Sequence, residues 1–245
     1  SKGGVFAVLL RLFTLIGTGR YPAVFIIFSI IAIASMILGN LLALLQNNVK
    51  RILAYSSIAH LGYVLVAFLA AGNLAVEAAT FYLVAYFITI SGAFGIVTLL
   101  SSQEGEAEQL DSYRGLFWTR PLIAAIFSAM MLSLAGIPLT AGFIGKFYLV
   151  SSGVNSSLWT LVIVLVLTSA VGLFYYLRVI VTMYAQPESA KKESTAHPAV
   201  SLAGGIAIGA LTLLLIWFGI LPSGILQVIR EMVASLDMAK FSMLF

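Results

Sequence analysis

The sequence predicts an all-α polytopic membrane protein, and three observations carry that prediction. Of 245 residues, 61% are hydrophobic and only 9% charged, with a mean hydropathy of +1.09. A soluble domain carries roughly a quarter charged residues. The apolar residues gather into about seven runs near the roughly 20-residue length that a helix needs to span a bilayer core. Polar or turn-forming segments separate the runs.

In chain order, spanning helices are expected at about 3–17, 22–46, 51–71, 77–101, 117–153, 157–185 and 200–220, within a bundle covering 1–221. The first is truncated. Ser1-Lys2 is neither an initiator Met nor a signal-peptide start, and the apolar run begins almost at once, so the chain is expected to begin inside a helix. Gly17-Thr18-Gly19-Arg20-Tyr21-Pro22 ends that helix with turn-forming residues. SSQEGEAEQLDSYRG (101–115) and QPESAKKESTAHPA (186–199) read as solvated loops, the acidic Glu104, Glu106, Glu108 and Asp111 included. Residues 222–245 mix apolar and charged side chains at helical spacing and predict an amphipathic helix on the membrane surface.

Lys and Arg set the expected orientation. Lys50, Arg51, Arg114, Arg120, Lys191 and Lys192 lie in loops at one end of the bundle, with Arg178 toward the same end, while the opposite loops hold little beyond Arg20. The positive-inside rule makes the basic loops cytoplasmic and puts the C-terminus on the other side.

The run 117–153 is too long for its role. At about 1.5 Å per residue it would reach about 55 Å against a core of about 30 Å. Two half-helices joined by a non-helical link solve the mismatch, and Gly136–Gly142 supplies the break. Pro138 removes a backbone donor and crowds the preceding turn, and Gly136 and Gly142 allow the chain to bend. Irregular backbone at membrane depth survives only where protein or a watery cavity satisfies it, and broken helices of this kind recur in ion-coupled transporters.

Just beyond the break stands Lys146. Taking its ammonium out of water costs a few kcal/mol, and a nearby half-helix N-terminus would add to the repulsion. An amine so placed can release and regain a proton near neutral pH, as a relay must. The alternative is a lysine whose flexible stem snorkels toward the polar SSGVNSS turn. His60, in RILAYSSIAHLGYVLVAFL, reads either as a proton carrier or as a neutral imidazole tied to a hydroxyl as packing glue. Tyr55, Ser56, Ser57, Tyr63 and Thr140 are candidate polar lining for such a path. Lys2 is an interfacial anchor if it begins a helix and a second buried amine if it lies within one. Arg11 lies near that helix's outer end, and His197 sits in a charged loop. Glu77 opens a helix, where a carboxylate suits the N-terminal dipole. Tyr175 and Tyr176 read as packing or interfacial aromatics.

Several function classes drop out. Without cysteine there is no disulfide, thiolate-held iron–sulfur cluster, Cys-type zinc site or haem attachment, and His60 and His197 are too few for a histidine metal site. A net charge of +4 with no basic, aromatic-interleaved stripe gives no reason to expect nucleic acid. GNLLALL and GTGRYP lack the strand–turn–helix context of phosphate loops, and nothing resembles a catalytic triad. No catalytic, metal-ligating or cofactor-binding residue is expected in this chain.

NNVKRILAYSSIAHLGYVLVA, ISGAFGIVTLLSS, SYRGLFWTRPLIAA, MMLSLAGIPLTAGFIGKFY and GLFYYLRVIVTMY together resemble the C-terminal half of the subunit N family of bacterial proton-pumping NADH:quinone oxidoreductase, respiratory complex I. The KR-LAYSSI-H-GY and LAGIP-T-GFIGKF blocks are shared with antiporter-like relatives, and SYRGLFWTRP favours subunit N. The resemblance covers nearly the whole chain. It implies an antiporter-like inverted-repeat fold whose second half is seen here, entered midway along its eighth helix, in the bacterial inner membrane. It also implies that Lys2 and Lys146 are the family's buried lysines, with His60 between them on a hydrated midplane axis. Protons would pass along that axis, driven by quinone reduction elsewhere in the complex. NADH, FMN, iron–sulfur clusters and quinone would then be bound by other subunits, and the partners would be neighbouring antiporter-like and other membrane subunits, the lipid bilayer and protons. The family's earlier glutamate and first broken helix are missing, so a chain cut here would not pump alone. A subunit of a multisubunit cation/proton antiporter or membrane-bound hydrogenase is the alternative, and a scaffold with a snorkelled Lys146 is a third reading.

Overall fold

The structure is a computed structural model that describes residues 4–5, 8–9, 22–101, 108–186 and 202–242. Lys2, Arg11, Arg20, Glu104, Glu106, Lys191, Lys192 and His197 lie outside the described residues, as does most of the expected first helix. Eight helices longer than one turn follow in order among the described residues: α1 (Pro22–Leu44), α2 (Val49–Ala70), α3 (Asn73–Leu100), α4 (Pro121–Ala135), α5 (Ala141–Asn155), α6 (Trp159–Tyr184), α7 (Leu202–Ile220) and α8 (Ser223–Ser242). A 3₁₀ turn at Leu110–Tyr113 and one helical turn at Leu116–Thr119 lead into α4. Four of these helices, α1, α2, α3 and α6, are each long and apolar enough to cross a membrane. α7 and α8 meet at 82°, and among the described residues their bent pair is the only candidate for a fifth span by length and composition.

Burial sorts the spans into inner and outer. The most apolar stretch of α2 is 72% buried and that of α3 56%, against 33% for α6 and 22% for α1. α2 packs along α1 and against α3, α3 carries α5, α7 and α8, and α6 bridges α1 to α4. The outer faces keep their isoleucines and leucines exposed, as Ile26, Ile30 and Leu38 do on α1 and Leu167 and Val181 on α6. In lipid an exposed leucine needs no explanation, whereas a buried polar group does. The inward faces hold such groups: Asn40, Ser57, His60, Thr89, Ser133 and Lys146 are all buried.

The basic end is tied shut by short links. Asn48 caps α2 by accepting from the Arg51 backbone N–H at 3.0 Å, a cap worth about 1 kcal/mol. The 45–48 turn pairs with 108–110 through Val49 N–H to Glu108 O (2.7 Å) and Leu110 N–H to Asn47 O (2.8 Å). The Glu108 carboxylate then accepts from Asn48 Nδ2 at 2.7 Å and from Lys50 Nζ at 3.0 Å. Glu108 is therefore a clasp between two turns and not part of a freely solvated acidic run. Burial, and then the Glu108 charge, push the Tyr113 phenol above the usual tyrosine range. Arg178 donates from Nη2 to the Gln46 carbonyl, joining α6 to the same corner.

At the opposite end, Glu77 does not cap α3. The helix begins four residues earlier at Asn73, and Glu77 accepts from Arg230 Nε of α8 at 3.2 Å. Leu226, Ile229 and Val233 bury the inner face of α8.

Candidate functional site

The break is built from a helix stop and a helix start. α4 ends at Ala135, and Gly136 takes φ +83°, a left-handed conformation that glycine adopts without penalty. Gly136 N–H reaches Ser133 O and Ile137 N–H reaches Leu132 O, both at 3.0 Å, which is the paired closure of a Schellman end. Pro138 and Leu139 turn the chain, with Leu139 also left-handed at φ +72°. Thr140 then starts α5: its hydroxyl donates to Ile137 O (2.7 Å) and accepts from Phe143 N–H (3.3 Å). The non-helical link is thus 136–140, shorter than the expected Gly136–Gly142, because Thr140 caps α5 early. Gly142 lies inside α5, where its role is space. A Cβ there would sit 1.8 Å from Ser133 O, so only glycine lets the two half-helices touch.

A Schellman closure satisfies Leu132 and Ser133 but leaves the next two carbonyls, of Leu134 and Ala135, without helical donors. Lys146 supplies them. Long side chains on a helix lean toward its N-terminus, so from its place in α5 Lys146 leans back onto the break. Nζ donates to Leu134 O at 2.9 Å, Ala135 O at 2.8 Å and Ser169 Oγ of α6 at 2.8 Å. All three donors of an ammonium are used, and the Tyr63 ring lies 5.5 Å away as a cation–π neighbour. The electrostatic neighbour is the reverse of the one the sequence suggested. The amine faces the carbonyl, negative end of α4 and not a helix N-terminus. Lys146 is 9% exposed and is held inside the bundle, which disposes of the snorkelled geometry in this structure.

His60 stands between two phenols. Its Nδ1 lies 2.5 Å from Tyr82 Oη of α3 and its Nε2 3.1 Å from Tyr176 Oη of α6. The imidazole stacks on Tyr86 at 5.1 Å and meets Tyr63 edge-on at 5.4 Å. Tyr86 is held in turn by donating to Ser57 Oγ at 2.6 Å. A second branch leaves through Tyr63, whose hydroxyl accepts from Asn40 Nδ2 at 2.9 Å, while Tyr175 donates to Asn40 Oδ1 at 3.0 Å. Both phenols of the Tyr175-Tyr176 pair are therefore buried polar partners and not interfacial aromatics.

One small cavity joins the parts. His60, Tyr82, Tyr86, Thr89, Ser133 and Lys146 all line it, with Ala85, Leu134 and Gly142, and it has room for about one water molecule. Of the residues singled out in the sequence, the structure brings His60, Lys146 and Gly142 to this cavity. Ser57 stands immediately behind it through Tyr86, and Tyr63 through its ring contacts with His60 and Lys146. Ser56 turns its hydroxyl to Leu53 O at 2.9 Å, Tyr55 is half-buried against the core, and Thr140 serves the cap. Gly136 and Pro138 form the turn itself, and Gly136 carries the Lys146 stem against it.

Chemically the site pairs an amine and an imidazole, each able to hold or release a proton. Two of the three Lys146 partners are carbonyls, which only accept. Ser169 is the one that can reverse, accepting from an ammonium or donating to a neutral amine. No carboxylate among the described residues forms an ion pair with Lys146.

A family model described as NADH:quinone oxidoreductase/Mrp antiporter, transmembrane, matches residues 1–172. The chain is 49% identical over 233 residues to NADH-quinone oxidoreductase subunit N of Ectopseudomonas mendocina (strain ymp), a match covering 94% of this chain and 47% of that protein. It is similar to a chain of respiratory complex I from Thermus thermophilus with bound aureothin, at 33% identity and a TM-score of 0.76, covering 91% of this chain and 47% of that one. The archaeal membrane-bound sulfane sulfur reductase matches with a TM-score of 0.80 at 22% identity, covering 95% and 46%, a likeness of fold alone. The chain spans about half the length of the curated relatives it matches.

Proposed function

The chain belongs to the NADH:quinone oxidoreductase/Mrp antiporter transmembrane family, and from that premise we propose that it is a proton-translocating part of a complex I membrane subunit. Lys146 and His60 exchange protons through the cavity they share, and the broken helix exists to place the amine there. The observation that carries this reading is the single cavity lined by both groups, beside an ammonium held by carbonyls and a hydroxyl. A charge without a counter-ion at membrane depth is costly to keep for packing alone.

In this reading the driving force is electrostatic and arrives from quinone reduction elsewhere. NADH, FMN, iron–sulfur clusters and quinone belong to other subunits, and this chain contributes no redox chemistry. Moving positive charge toward or away from Lys146 changes the free energy of its ammonium. With no carboxylate among the described residues paired to it, the proton passes to the cavity and on to His60. Lys2 extends the same axis by family resemblance. Neighbouring antiporter-like subunits and lipid cover the outer faces, the membrane is the bacterial inner membrane, and the loops bearing Lys50, Arg114 and Arg120 are cytoplasmic. α8, bent 82° from α7, then lies along the opposite membrane surface. The 49% identity to a subunit N favours this over a cation/proton antiporter or a membrane hydrogenase.

Replacing Lys146 with Met in the full-length subunit of the assembled complex tests it, with NADH-driven quinone reduction and proton pumping recorded together in sealed vesicles. Both fall if the relay reading holds. Both stay at wild-type levels if Lys146 is structural.

A further inference from the structure

Lys146 and His60 line one cavity, yet no hydrogen bond joins them directly. Among the residues that line this cavity, Tyr82 is the one whose hydroxyl meets an imidazole nitrogen of His60. Tyr82 lines the cavity together with Lys146, and its Oη lies 2.5 Å from His60 Nδ1. Tyr176 holds the other imidazole nitrogen and does not line the cavity. The imidazole is thus asymmetric: one nitrogen faces the lysine through a phenol, and the other faces away from it through a second phenol.

The packing that brings Lys146 to Tyr82 is unusually close. A Cβ on Gly145, the residue before Lys146, would lie 2.8 Å from Tyr82 Cδ2 and 3.2 Å from its Cα. A bare glycine therefore seats α5 on the Tyr82 ring. Tyr82 itself is 2% exposed, so the exchange it serves is sealed from the surface.

We propose that Tyr82 is the relay residue between the Lys146 cavity and His60, with Tyr176 as the positioning residue that fixes the imidazole tautomer. The inference rests on the relay reading of Lys146. In the resting state His60 is neutral, accepts from Tyr82 O–H at Nδ1 and donates its Nε2–H to Tyr176. The Lys146 N–H that Ser169 accepts turns to a water in the cavity and its proton passes to Tyr82 Oη, while the phenol's own proton moves to Nδ1 and Ser169 turns to donate to the neutral amine. Lys146 becomes a neutral amine, Tyr82 ends as it began, and His60 becomes an imidazolium donating from both nitrogens. One positive charge has moved from α5 to α2, and no other bond has changed. The Tyr63 and Tyr86 rings also face the imidazole and carry no charge in either state.

The test uses the full-length subunit in the assembled complex in sealed vesicles, with three variants: Lys146→Met, Tyr82→Phe, and 3,5-difluorotyrosine introduced at position 82. Phe keeps the ring that packs on Gly145 and removes only the hydroxyl. Expected is a loss of pumping of about tenfold or more in Tyr82→Phe, comparable to Lys146→Met. The difluorotyrosine variant keeps the hydroxyl and is expected to pump with an altered rate and pH profile, because the acidity of the phenol enters the transfer step. Normal pumping in Tyr82→Phe beside a dead Lys146→Met overturns this inference and leaves the relay reading standing. Normal pumping in Lys146→Met overturns both. A difluorotyrosine profile that coincides with the wild type shows that the phenol only holds His60, and sinks the proposal as well.

Discussion

Lys50 and Lys146 are two lysines near helix breaks, and their surroundings are opposites. Lys50 is half-exposed at the basic end and meets the Glu108 carboxylate at 3.0 Å. Lys146 is buried and meets two carbonyls and a hydroxyl. A carboxylate partner favours the charged lysine and gives the proton a reason to stay. Carbonyls hold an ammonium through dipoles alone, and a neighbouring hydroxyl can serve either protonation state. The difference separates a lysine that fastens loops from one that can trade its proton.

The comparison breaks most visibly at Gly142. Gly142→Ala would drive a Cβ to 1.8 Å from Ser133 O and force the half-helices apart, so the expected result is a complex lacking this subunit on native gels. Next comes charge without exchange. Lys146→Arg keeps a cation that cannot deprotonate in a protein, and pumping should fall about 100-fold or more if proton release is required. Lys50→Arg should change pumping less than about twofold, since the Glu108 pair asks only for charge. Equal effects of the two substitutions would erase the distinction drawn here. Ser169→Ala should be intermediate, a loss of pumping of several fold, because the amine keeps both carbonyls and loses the partner that can reverse. Smallest is Glu77→Gln, which weakens an ion pair whose arginine is 58% exposed. A thermal-melt change within about 1 kcal/mol, with pumping intact, is expected.

Much of this was legible in the sequence. The excess length of 117–153 with Gly136 and Pro138 announces a break, and a lysine just beyond it announces a buried amine. The dipole end was not, although the lean of helical side chains toward the N-terminus would have pointed Lys146 back at the carbonyls. Tyr82, Asn40 and Ser169 were missed, and Tyr176 was read only as packing or interfacial, because their partners lie on other helices; the His60 pair spans sequence separations of 22 and 116. Periodicity shows which face of a helix is polar, not which helix it meets. A signal was nevertheless present. Tyr82, Tyr86 and Thr89 recur at helical spacing as a polar stripe on the largely apolar α3.

Asn40 joins Tyr63 and Tyr175 into one continuous chain of hydrogen bonds that runs from beside Lys146 to the α1–α6 contact. A carboxamide accepts at its oxygen and donates at its nitrogen, and to hand a proton across it would have to become an imidic acid. That arm of the cluster is wired for geometry and insulated for charge. Two tyrosines are held firmly in register there, and in the proposed relay a proton on His60 has no short circuit through Asn40.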